Sequence, residues 1–114
     1  MTYRQATFNG KPTYEFQDQA KSDLDICLSC CEAELECFYD NKNALAPAPY
    51  FFEKAAAMLA KKRDWRGVID IAERYINAIE KYRATATPAS AKVWLSPKVE
   101  KIKARLAKAL LAVQ

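Results

Sequence analysis

A chain of 114 residues with 51% apolar and 28% charged residues has room for one core and enough apolar material to fill it. No apolar run approaches the roughly 18 residues that span a bilayer, and the opening MTYRQATFNG lacks the apolar stretch of a secretory signal, so a cytoplasmic location without membrane contact is expected. Histidine is absent, which removes Ser-His and Cys-His nucleophilic mechanisms, and the net charge of +4 is uneven, with −6 in residues 23–40 and +5 in residues 84–114.

Only two glycines and few β-branched residues favour helix throughout, so the expected fold is one all-α domain over residues 1–114. Residues 1–16 form its N-terminal arm. Asn9-Gly10 suits a two-residue type I′ turn, which predicts either a short β-hairpin laid on the helices through Tyr3, Phe8, Tyr14 and Phe16, or an irregular arm. Pro12 confines the second strand to an edge.

Residues 17–40 read as the first helix, with Ser22 or Asp23 as N-cap and acids in the first turn, where they suit the helix dipole. At 100° per residue, Leu24, Cys27, Leu28, Cys31, Leu35 and Phe38 form a stripe. Asp25, Ser29, Glu32, Glu36 and Asp40 form a polar wedge. Ile26, Cys30, Ala33 and Cys37 make a second apolar face, so this helix is buried on more than one side, and that face is a candidate homodimer surface.

After the linker DNKNALAPAP, residues 49–83 form a helical hairpin. Its first helix starts at Pro49, a good N1 residue, and carries small residues Ala55, Ala56, Ala57 and Ala60 that permit close approach. The turn KKRD ends it, and Asp64 caps a second helix with Trp65, Val68, Ile71, Ala72, Tyr75, Ile76, Ile79 and Tyr82 on one stripe. The connector RATATPASAKVWLSP contains Trp94 and Leu95, which either pin it to the core or serve as an exposed anchor for a partner. Ser96-Pro97 opens the fourth helix, 97–113, with Val99, Ile102, Leu106, Leu110 and Val113 on its stripe and Lys98, Lys101, Arg105 and Lys108 on an adjacent face.

The segment AAAMLAKKRDWRGVIDIAERYI resembles a tetratricopeptide-repeat hairpin in its Lys61-Lys62-Arg63 turn, the Asp64-Trp65 pair, the apolar pair Val68-Ile69 and the small residues Ala55 and Ala56. Val68 and Tyr75 stand where the family has small residues, and no proline closes the unit near Glu80. With no second copy of the pattern in the chain, the resemblance implies one such hairpin capped by flanking helices. It also implies a partner held by the inner face of the hairpin's first helix, at Tyr50, Glu53, Ala57, Ala60 and Lys61.

Four cysteines, Cys27, Cys30, Cys31 and Cys37, could in number hold a metal or serve as redox thiols. Along one helix, however, Cys30 and Cys37 are about 10 Å apart, too far to share an ion, and buried thiols are common core residues. The basic residues of the last helix, with Lys61, Lys62, Arg63 and Arg66, could meet phosphates, but no aromatic residues interleave with them to stack bases. Glu32 and Glu36, or Asp70 and Glu73, read as surface acids. The favoured function is therefore a non-enzymatic protein-binding module without cofactor, with another protein or a second copy as partner. A basic nucleic-acid-binding protein is the alternative, and a cysteine-based metal or redox sensor the third reading.

Overall fold

The computed structural model describes residues 5–40, 46–85 and 96–114, and the fold is helical with a small β-ribbon. Strands β1 (Thr7–Phe8) and β2 (Lys11–Pro12) pair antiparallel, with Thr7 opposite Pro12 and Phe8 opposite Lys11. Asn9 and Gly10 at the turn both have positive φ, 52° and 77°, the backbone that a type I′ turn requires. The hairpin alternative for the arm is the one adopted, with Phe8 and Phe16 packed against the core, but Tyr14 is exposed and does not lie on the helices. A 3-10 turn, Thr13–Phe16, leads from it into the helices.

The first predicted helix is divided, in a correction to the continuous 17–40 reading. A short α1 (Gln17–Ala20) stops at Lys21-Ser22, and α2 (Leu24–Asp40) begins afresh. Asp23 is responsible: its carboxylate accepts from Ile26 N at 3.2 Å while its carbonyl accepts from Cys27 N at 3.0 Å, so it starts a new helix instead of continuing the old one.

The hairpin consists of α3 (Pro49–Lys61) and α4 (Trp65–Thr85). Its turn is closed from both sides. Asp64 N donates to Leu59 O and Arg63 N to Ala60 O, both at 2.9 Å, with Arg63 in the left-handed region at φ 59°, which is a Schellman ending without its usual glycine. On the other side, Asp64 Oδ1 accepts from Gly67 N at 3.0 Å and caps α4. The last helix, α5 (Pro97–Ala112), starts where Ser96 Oγ accepts from Lys98 N at 3.2 Å.

Helix α3 is the centre of the packing. It contacts α2 on one side and α5 on another, and α4 runs against both α3 and α5. Phe51, Phe52, Ala55, Ala56 and Leu59 of α3 are buried with Cys27, Cys31 and Leu35 of α2, Val68, Ile71, Ala72, Tyr75 and Ile79 of α4, and Val99, Ile102 and Ala109 of α5. The Phe52 and Tyr75 rings lie 4.7 Å apart, a contact contributing about 0.5–1.5 kcal/mol beyond its buried area. The predicted stripe of the last helix holds as far as Leu106, which packs against the core half-buried. Val99 and Ile102 are buried, whereas Leu110 and Val113 are exposed and Ala109 takes the inward position near that end. No helix among the described residues is long and apolar enough to cross a membrane.

Candidate partner-binding groove

The second apolar face of α2 is not open to a second copy. The β-ribbon and the 3-10 turn pack on this helix; Cys30 is fully buried, Ile26, Ala33 and Cys37 are half-buried, and Gln5, Ala6 and Thr7 share a shallow pocket with Ala33, Glu36 and Cys37. The candidate dimer face is thus occupied by the chain's own arm.

One acid fastens that arm. Thr13 Oγ1 donates to Glu34 Oε1 at 2.6 Å, and the backbone N–H of Ala48 donates to the same carboxylate. Burial outweighs these two donors and raises the Glu34 pKa above its ordinary value. Glu34 was not among the candidate residues, although its spacing marks it. It stands four residues after Cys30 and three before Cys37, on the apolar face and outside the polar wedge.

On the other side of α3 lies a groove of about 330 Å³ lined by Glu53, Lys101, Ala104, Arg105 and Lys108. Here α5 runs alongside α3 so that Lys98 sits over the Tyr50 ring, 5.7 Å from its centroid, and Arg105 reaches Glu53. The Glu53 side chain is only 9% exposed and makes no hydrogen bond among the described residues; its oxygens have just ion contacts, to Lys54 at 3.7 Å and Arg105 at 3.9 Å. Arg105 Nε is buried without a partner among the described residues. Glu53 is thus a buried carboxylate held between two cations, while Arg105 Nε is buried beneath the groove surface, where polar groups are ordinarily satisfied.

The residues expected on the inner face of the hairpin's first helix divide between several environments. Glu53 lines the groove. Tyr50 lies beside it, with Lys54 also over its ring and its hydroxyl donating to Gln17 O at 3.0 Å. Ala57 and Ala60 are half-buried and Lys61 is exposed, and none of the three lines the groove. Trp94, Leu95 and Tyr3 lie outside the described residues.

A second groove, of about 310 Å³, separates α2 from α4 and is lined by Glu32, Leu35, Glu36, Tyr39, Asp40, Arg74 and Asn77. Arg74 makes two parallel hydrogen bonds to Glu32, one through each guanidinium NH₂ group, which lowers the Glu32 pKa and raises that of Arg74. Glu36 and Asp40 have no ion pair among the described residues, and Tyr39 is 46% exposed.

Cys27, Cys30 and Cys31 belong to the core, and Cys37 is half-buried. Cys27 Sγ donates to Phe51 O at 3.1 Å, a side-chain hydrogen bond joins Cys31 to Cys27, and Cys30 and Cys31 are buried. Burial pushes the Cys30 thiol up to about 11 and raises Cys31 well above its ordinary value, which disfavours the reactive thiolate. Among the described residues, no group of three or more His, Cys, Asp or Glu is arranged to hold a metal ion. Comparison of the chain with protein-family models, with curated proteins and with solved structures finds no match.

Proposed function

We propose that this chain is a non-enzymatic protein-binding module, a tetratricopeptide-like adaptor whose partner surface is the groove between α3 and α5. The observation that carries this reading is the groove itself, about 330 Å³, in which Lys101, Arg105 and Lys108 surround the single carboxylate of Glu53. A peptide surface supplies carbonyl and carboxylate acceptors that can meet the groove's lysines. Two features disfavour the nucleic-acid alternative. The Glu53 carboxylate in the groove repels phosphate, and the neighbouring aromatic faces already carry cations: Tyr50 has Lys54 and Lys98, and Trp65 has Lys108 at 5.9 Å.

Affinity capture from the native host with the full chain, alongside a Lys101→Ser/Lys108→Ser variant, tests this reading. The wild-type chain is expected to retain a protein that the variant loses. Equal capture by both would remove the groove as the partner surface, and capture of nucleic acid that dissociates steeply with salt would favour the alternative.

A further inference from the structure

Against three cations the groove holds one acid, Glu53, and further acids are present elsewhere on the same chain. Glu32, Glu36 and Asp40 recur at i, i+4 and i+8 along the outer side of α2, a stripe about 12 Å long at 1.5 Å per residue. Lys101, Arg105 and Lys108 recur at i, i+4 and i+7 along α5, about 10 Å in length. The two stripes oppose in sign, and with Glu32 held by Arg74, Glu36 and Asp40 are the acids left to meet a partner. Tyr39, exposed between Glu36 and Asp40 with Lys81 over its ring at 4.8 Å, adds a hydroxyl donor beside the acids. Glu53 is shared by Lys54 and Arg105, and Lys101 and Lys108 have no ion pair among the described residues. Within one copy the two stripes line separate grooves that share no residue.

We propose that the occupant of the α3–α5 groove is a second copy of this chain, presenting the Glu36–Tyr39–Asp40 edge of its α2, so that copies join head to tail. In this contact Glu36 and Asp40 accept from Lys101, Arg105 and Lys108, and the Tyr39 hydroxyl donates to Glu53. The inference rests on the reading of the groove as the partner surface and adds the identity of the partner. Such a contact uses different faces on the two copies, so it closes into a ring or extends as a chain, unlike the symmetric dimer that the arm-covered face of α2 would form.

Sedimentation velocity on the full chain tests it. At about 0.01 M salt, where charges act over about 30 Å, the mass is expected to rise with concentration above the 12.9 kDa of one copy; at about 1 M salt, where they act over about 3 Å, it returns to one copy. Glu36→Lys/Asp40→Lys and Lys101→Ser/Lys108→Ser alter exposed residues, and thermal melts matching the wild type establish that both are folded. Each variant alone is expected to remain a single copy. Mixed, they form a one-to-one pair and nothing larger, because the first retains an intact groove and the second an intact acidic edge.

A wild-type chain that stays a single copy at every salt and concentration overturns the proposal, as does failure of the two variants to pair. If that chain nevertheless captures a different protein that Lys101→Ser/Lys108→Ser loses, the partner-surface reading stands and only the second copy is removed. If Lys101→Ser/Lys108→Ser assembles like the wild type, the groove is not the acceptor and both readings fall.

Discussion

Glu34 shows how one side chain ties remote segments together at an electrostatic cost. It accepts from Thr13 of the arm and from the backbone of Ala48 just before α3, so three parts of the chain meet at one carboxylate. Burial is the dominant influence and raises its folded pKa above the ordinary value of about 4.3. The folded state therefore binds this proton more tightly than the unfolded chain does. The resulting stabilisation is complete below about pH 4.3 and is lost as pH rises through the raised folded value. Glu34→Gln stays neutral at every pH and can still accept from Thr13. The variant is expected to melt higher than the wild type near pH 7, with the difference vanishing below about pH 4. A variant that melts lower near neutrality would mean that the two charge-assisted hydrogen bonds outweigh the burial of the carboxylate.

At the scale of elements, the KKRD turn shows why so much local structure was legible. Turn and cap chemistry depends on residues within about four positions, so Asp64, Ser96-Pro97 and Asn9-Gly10 could be read directly from the chain, and each is used as its residue type implies. Gly67 is the less visible part of the same device. A Cβ there would meet Asp64 Oδ2 at 2.8 Å and Cγ at 2.9 Å, so the cap folds over the space that glycine leaves. Two opposing effects of similar size follow. Asp64→Ala removes the cap and is expected to cost about 1 kcal/mol, whereas Gly67→Ala gains about 1 kcal/mol of helix propensity but displaces the cap. In the wild-type background Gly67→Ala is therefore close to neutral; in the Asp64→Ala background it stabilises by about 1 kcal/mol. Urea unfolding of the four proteins measures this coupling, and additive effects would exclude it.

For the whole molecule, the unread part was which face meets which. Periodicity marked a second apolar face on α2 and a basic stripe on α5, but a helical stripe does not name its neighbour, since any apolar surface buries it equally well. The arm, not a second copy, took the first, and α5 brought the basic stripe to Glu53. The arm's role as a cover leads to an experiment on the thiols. Cys30 is fully buried on the face where the arm packs, and its thiol is held up at about 11 by that burial, while Cys37 on the same face is half-buried. In the intact chain at neutral pH, Cys37 is expected to react with a disulfide reagent well before Cys30. Deleting residues 1–16 hydrates Cys30, returns its pKa toward about 8.5 and exposes Ile26, Cys30, Ala33 and Cys37 together. Mass-spectrometric mapping should then find Cys30 modified in the folded state, with helix content by circular dichroism confirming that the truncated chain is folded. The newly exposed face is apolar, so the truncated chain should also associate at about 1 M salt, where contacts between charged stripes are screened. Unchanged Cys30 protection in a folded truncated chain would show that the helices, and not the arm, seal that side of α2.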